Sequence, residues 1–489
     1  MQTRKGTIAF LILAAAGWVA PARAKVIEDT SGSLKTLTSI ADALDSPDHH
    51  PVHILYVHGI ADMGAGDSAM LRESICTELK LCAVSDWINA GVEFADRGEF
   101  SSAVQPPTLA YLGSPVWNTP EEWHAAAPFV VHWVVHLTGH SAVLMLDEIN
   151  WWPLVLGLKC RRVVAAEAHL AGPDLHLLQV CSEQSAQDPG GLGRFFPWIL
   201  PDQAAKLAKI RPRGVLINRE LKAGLVDWGL SDVLMAVGPM GGILRDGVRQ
   251  LMAKSAAFDP HTAEAYSSGS GSGGVGKYDW KSHLSSDNAL DQEFIGVTHS
   301  LGSYLLFNTL NPEFASAPGQ ALLAADAARK TAEENAVRYI FERTSQMYFF
   351  ANQLEMLEIT NLESASPATK LNSRGLAPAP SVPTTPAANF RTLVSRWKDY
   401  QSNFQVVLHP GDETSRKKVQ VVAWSDPSDV ITYRVPKIGD VEVVNLYVKN
   451  ATRWFGLLES PRKAHADYAK NIDVLRVMFG ETKLQSPAH

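Results

Sequence analysis

The sequence predicts an α/β protein, built on a mainly parallel sheet flanked by helices. Three observations predict it. Short apolar runs suited to buried strands alternate with helical patterns, the arrangement that places helices over both faces of a parallel sheet. Segment 321–344, "ALLAADAARKTAEENAVRYIFERT", is a long stretch of good helix formers. Two corners, at 53–75 and 294–310, pass from an apolar run through a glycine-containing loop or turn into a helical pattern.

The elements follow in order. Residues 1–24 read as a signal peptide. Arg4 and Lys5 form the positive end, Ala9 to Ala20 a short apolar core, and Ala22-Arg23-Ala24 a small-x-small cleavage site. An exported chain, periplasmic or secreted, is therefore expected. "HILYVH" (53–58) is a strand, "GIADMGAGDS" a glycine-rich loop, and "AMLRESICTELKL" a helix with Asp67 or Ser68 as N-cap. Further strands are expected at "TLAYL" (108–112), "GVLIN" (214–218), "FIGVTH" (294–299), "MYFFAN" (347–352), "KVQVVAW" (418–424) and "EVVNLYV" (442–448). A Gly/Ser-rich loop at 265–280 and a Pro/Ala/Ser-rich excursion at 361–390 interrupt the rhythm.

At ~100–200 residues per domain, 489 residues is long for one compact unit. Hydrophobic residues make up 46 % and charged residues 19 %, enough apolar material for a sizeable core. The net charge of -7 and pI of about 6.2 give no basic face, so nucleic acid is not an expected partner. Four cysteines, Cys76, Cys82, Cys160 and Cys181, permit two disulfides in an exported chain. Cys76–Cys82 and Cys160–Cys181 are the local pairings among three connectivities. No C-x-x-C spacing occurs, and the histidines of "DHHPVH" (48–53) lack partner spacing, so no metal site is expected. "GSGGVGK" (271–277) imitates a phosphate loop, but Tyr278 stands where a Ser or Thr would hold magnesium, and no apolar strand precedes it.

The chemistry concentrates in "FIGVTHSLGSYLLFNTL" (294–310). A serine that attacks acyl groups needs an exposed hydroxyl, a base and oxyanion donors. A sharp strand-to-helix turn supplies the first and favours small residues two before and two after the serine, hence G-x-S-x-G. At Ser300 those positions are Thr298 and Gly302, so half of the strict pattern is present. His299, beside the serine, reads as a packing or pocket residue.

With "YVHGI" and "THSLG", the chain resembles the α/β-hydrolase superfamily, in particular lipases and serine esterases. The resemblance covers 53–75, 290–310 and 415–480. It implies a Ser-His-Asp acyl-enzyme mechanism acting on carboxylic esters, with no cofactor. It also implies an order of nucleophile, acid, histidine along the chain. Ser300 takes the first place. Asp429, followed by two apolar residues, fits the second, with Asp426 as the alternative. His465, in a loop before the last helix, fits the third, since only the terminal His489 competes. The oxyanion donors implied are the N–H groups of Ile60 and Leu301. Minimal members of that family have far fewer residues between these landmarks, which implies a large, mostly helical cap or insertion at about 90–285. Trp151, Trp152 and Trp198 are candidates for an acyl pocket or a transient contact with a lipid surface. The partner expected is a small-molecule or lipid ester. An acyltransferase, a thioesterase, a peptidase or a non-catalytic binding protein on the same fold are the alternatives. Neither the natural ester nor the oligomeric state is written in the sequence.

Overall fold

The structure, a computed structural model, describes residues 27–28, 37–46, 50–60, 66, 68–96, 126–158, 231–237, 241–258, 292–310, 324–354, 357, 420–429, 431–435, 442–450 and 461–480. Its centre is a mixed, mostly parallel sheet. In chain order the strands are β1 (Ile27–Glu28), β2 (Val52–Val57), β3 (Ile88–Phe94), β4 (Phe129–His136), β5 (Val143–Asn150), β6 (Glu293–His299), β7 (Thr344–Phe350), β8 (Gln420–Ser425) and β9 (Glu442–Tyr447). They lie side by side as β1-β9-β8-β7-β6-β2-β5-β4-β3. The run from β9 to β5 is parallel throughout, while β1, β4 and β3 pair antiparallel at the two edges.

The helices are α1 (Ile40–Leu44), α2 (Ala69–Thr77), α3 (Ser231–Val237), α4 (Gly241–Ala257), α5 (Leu301–Leu310), α6 (Ala324–Arg343), α7 (Pro461–Ala466) and α8 (Ile472–Met478). Alternate strand residues feed two separate cores, as a pleated sheet covered on both faces requires. On one face Leu55, Val57, Ile149, Met347 and Phe349 meet Leu244, Val248 and Leu251 of α4, Leu305 of α5 and Ile340 of α6. On the other, Ile54, Tyr56, Leu146, Val297 and Phe350 meet Ile40 of α1, Leu71 and Ile75 of α2, and Leu475 of α8.

Region 90–285, expected to be mostly helical, contains sheet strands among its described residues. Within it, β4 and β5 are full strands of the central sheet and β3 pairs on their outer side. "FVVHWVVH" is a β-branched strand whose His132 is buried by pairing rather than a break in an apolar run. The helix α4 packs on the sheet as core. Trp151 and Trp152 are buried (0 % and 7 % exposed), so neither is a surface for lipid. The signal peptide, 108–112, 159–230 (with Cys160, Cys181, Trp198 and the strand expected at 214–218), 265–280 and 361–390 lie outside the described residues. Cys76 and Cys82 are joined in a disulfide. Among the described residues, no helix is long and apolar enough to cross a membrane, and no group of His, Cys, Asp and Glu is arranged to hold a metal ion.

His53 of "DHHPVH" is instead a core residue. Its Nδ1 donates to Asp147 Oδ2 at 2.8 Å, and His132 Nδ1 donates to Asp147 Oδ1 at 2.7 Å. All three side chains are fully buried. His132 Nε2 lies 3.7 Å from Glu93 Oε1, beyond hydrogen-bond range but close in charge, and Lys254 Nζ lies 3.5 Å from Glu93 Oε2. Burial alone would lower the His132 pKa; the hydrogen bond and charge of Asp147, with Glu93 beyond, outweigh it and raise it to about 9. Burial would likewise raise Asp147, but His53 and His132 hold it down at about 2.

Candidate active site

The site forms at the carboxyl ends of the parallel strands, where the loops leaving β2, β6, β7, β8 and β9 meet. Ser300 sits between β6 and α5 with φ 53°, a left-handed conformation that few non-glycine residues adopt. Its N–H donates to the Phe350 carbonyl of the adjacent β7 at 2.8 Å. Its own carbonyl accepts from Ser303 Oγ at 2.7 Å. The hydroxyl expected to be exposed is fully buried, because the Gln353 amide lies against it.

Steric reach explains which glycines the corner needs. A Cβ on Gly302 would fall 2.2 Å from the Val57 carbonyl oxygen and 2.6 Å from that of His58. A Cβ on Gly59 would fall 2.7 Å from the Ser300 Cβ. The close approach is thus between α5 and the end of β2. Thr298, inside β6 and buried, faces no such constraint, and this is why the corner forms without a glycine there.

Asp429 and His465 come together. His465 Nδ1 donates to Asp429 Oδ2 at 2.9 Å. A carboxylate only accepts, so Nδ1 carries a proton, and in the neutral imidazole Nε2 then has the lone pair a base needs. Asp429 also accepts from the Ile431 N–H at 3.1 Å. Asp426 spends its carboxylate elsewhere: on the Ser428 N–H at 2.8 Å and the Asn450 N–H at 2.6 Å. Asn450 in turn donates to the Ala464 carbonyl at 2.6 Å, so Asp426 ties the β8 loop to the histidine segment. His465 lies in α7, a single short helix of "PRKAHA", rather than in an open loop.

Tyr468 and His299 complete the support. The Tyr468 hydroxyl accepts the Asp426 N–H at 2.7 Å and lies 3.4 Å from Asp429 Oδ2. Burial, then the Asp429 charge, push its pKa well above the ordinary tyrosine value, so it stays a neutral donor. His299 Nε2 donates to the His465 carbonyl at 2.6 Å, and the two rings lie 4.8 Å apart, tilted at 59°. His299 therefore positions the histidine segment, in keeping with its sequence reading as a packing residue.

The expected oxyanion donors flank the serine. Leu301 opens α5, where the N–H has no intrahelical acceptor. Ile60 follows Gly59, whose carbonyl accepts from His58 Nδ1 at 2.9 Å. The Gly59 carbonyl and the Ile60 N–H belong to one planar peptide and point opposite ways, so this bond fixes the direction of the Ile60 N–H. Trp151 stacks on the His58 ring at 4.9 Å and donates Nε1–H to the His58 carbonyl at 3.1 Å. Further along the same loop, Glu148 accepts the Gly66 N–H and the Ser68 hydroxyl, each at 2.6 Å.

The hydrogen bond between Ser300 and His465 is not formed. His465 Nε2 is buried and has no hydrogen-bond partner among the described residues. The Ser300 hydroxyl oxygen instead accepts from Gln353 Nε2 at 2.7 Å. Sequence reasoning did not single out Gln353 or Tyr468, gave the His58 side chain no role, and assigned Trp151 to an acyl or lipid surface. A glutamine carries no motif, and each of the four acts through a contact made only in three dimensions. Comparisons with protein-family models, with curated proteins and with solved structures find no match.

Proposed function

We propose that this protein is a serine carboxylester hydrolase of the α/β-hydrolase type, lipase- or esterase-like. The observation that carries the reading is Ser300 held left-handed at a strand-to-helix corner, with the bonded His465–Asp429 pair tied to the adjacent His299. The order of parts supports it: nucleophile after β6, acid after β8, histidine after β9. The Cys76–Cys82 disulfide supports an exported protein working in an oxidising compartment.

The proposed reaction uses these residues as follows. The Ser300 oxygen attacks the ester carbonyl carbon while its proton passes to His465 Nε2. The carbonyl π pair moves to oxygen and is met by the N–H groups of Ile60 and Leu301. His465 then delivers the proton to the departing alcohol, leaving Ser300 acylated. Water, deprotonated by the same nitrogen, releases the acid. Asp429 fixes the tautomer and stabilises the imidazolium. The missing Ser300–His465 bond is the loosest element, and such bonds commonly tighten only when substrate arrives.

A fluorophosphonate probe, with p-nitrophenyl esters of short and long acyl chains, tests the proposal. Labelling and hydrolysis are expected in the wild type and neither in Ser300→Ala. Labelling that persists in Ser300→Ala, or a wild type that neither labels nor hydrolyses, would refute it.

A further inference from the structure

The geometry points to Gln353 as a catalytic hydrogen-bond donor to the Ser300 oxygen, one that turns the serine proton toward His465. The inference rests on the proposed esterase reading and assigns a part that the Ser-His-Asp scheme does not contain.

The contact is short and dry. Gln353 is 1 % exposed, and Nε2 lies 2.7 Å from Ser300 Oγ. An amide nitrogen only donates, so the serine oxygen spends a lone pair on Gln353 and keeps its proton for another acceptor. The proposed mechanism makes His465 Nε2 that acceptor; it is buried and has no hydrogen-bond partner among the described residues.

The backbone around Gln353 is built to hold it there. Phe350, the last residue of β7, receives the Ser300 N–H. Ala351 then adopts φ 52°, a second left-handed non-glycine residue at the end of the neighbouring strand. Asn352 locks the turn that follows. Its Oδ1 accepts the Leu354 N–H at 3.0 Å, its Nδ2 donates to the Tyr433 carbonyl at 3.3 Å, and its own carbonyl accepts the Tyr433 N–H at 2.8 Å. A costly backbone conformation, over-determined by its surroundings, ends with one side chain on the reacting oxygen.

The chemistry uses this donor twice. As the bond from Ser300 Oγ to the carbonyl carbon forms and the proton leaves for His465, the Gln353 N–H offsets negative charge growing on Oγ. In deacylation that bond breaks, charge returns to Oγ, and the same N–H meets it before His465 gives the proton back.

Gln353→Met keeps the shape and removes the donor. With p-nitrophenyl esters, kcat is expected to fall about 100-fold with KM changed less than about 2-fold, the effect of removing one donor from developing charge. The rate of fluorophosphonate labelling at Ser300 should fall by a similar factor while the thermal midpoint holds. Gln353→Glu, equal in shape, should lose more than Gln353→Met near neutral pH, because its carboxylate accepts the serine proton and draws it from His465. It carries the test if the Met variant misfolds. Hydrolysis and labelling retained within about 2-fold in Gln353→Met, or a Glu variant at least as active as the Met variant, would overturn the inference and leave the esterase reading intact. A wild type without labelling or hydrolysis overturns both. A rise in KM with kcat unchanged would mark Gln353 as a substrate contact and also overturn its role as a donor to Ser300.

Discussion

The buried pair of His132 and Asp147 makes a sharp prediction about stability. In the unfolded chain a histidine titrates near 6.5; in the fold His132 is raised to about 9. A folded pKa above the unfolded one means the contribution is fully present below pH 6.5 and is lost as pH rises toward 9. The two values differ by about 2.5, worth about 3 kcal/mol at 1.36 kcal/mol per pH unit. The lowered Asp147 pKa reports the same interaction from the other side and is not added. Glu93 faces His132, Lys254 faces Glu93, and His53 faces Asp147, so the slope belongs to the group. Asp147→Asn removes the shared negative charge and one of its two acceptor oxygens. The measurement is urea unfolding of wild type and Asp147→Asn at half-unit steps from pH 6 to 9.5. The variant should be the less stable protein at pH 6, and the gap should narrow by about 3 kcal/mol toward pH 9. Two parallel stability curves across that range would refute the charged His132–Asp147 assignment.

Three other predictions concern the site. Ser300→Ala keeps the left-handed backbone and Ser300→Gly relieves it; the glycine variant should be the more stable by about 1 kcal/mol in denaturant titration. Equal midpoints would deny strain at the corner. Gly302→Ala forces a Cβ to within 2.2 Å of a backbone oxygen that cannot move without shifting β2. A loss of about 3 kcal/mol or more is expected by the same titration, and a near-normal midpoint would contradict the packing of α5 on β2. Asp429→Asn should cut kcat by about 10⁴-fold with the fold retained. Asp426→Asn should mainly lower stability, by about 1–3 kcal/mol, because it tethers Asn450 and Ser428; the reverse pattern in esterase and melting assays would exchange the two roles.

Part of this arrangement was legible in the chain. The parallel strands β2, β6, β7, β8 and β9 declare themselves as short apolar runs because both of their faces are covered. The order of Ser300, Asp429 and His465 is readable because each follows such a run. The strands β4 and β5 were not legible as strands, because His132 and Asp147 punctuate apolar runs with polar residues that only pair once the two strands are adjacent. The burial of Trp151 was hidden for a similar reason. Nothing local says that an aromatic side chain will stack on His58 rather than face solvent. Gln353 illustrates the limit most clearly, since its meaning depends on Ala351 turning left-handed and on Asn352 reaching Tyr433, 81 residues away.

The support around the triad decides how it would be completed. His465 is anchored from four directions: to Asp429 through Nδ1, to His299 through its carbonyl, and to the Asp426 loop through Asn450 and Tyr468. Ser300 is anchored through its backbone at both ends. Rebuilding either segment would break several buried hydrogen bonds, at about 1–3 kcal/mol for each group left unpaired. The serine hydroxyl is different, because it turns about a single side-chain torsion and is held by one bond. The least costly route to a working triad is therefore a small adjustment of the Ser300 side chain that keeps Oγ on Gln353. The described residues after β7, β8 and β9 are thus cross-linked to one another. A variant that loosens any of their cross-links should slow the acylation step more than it weakens the binding of ester.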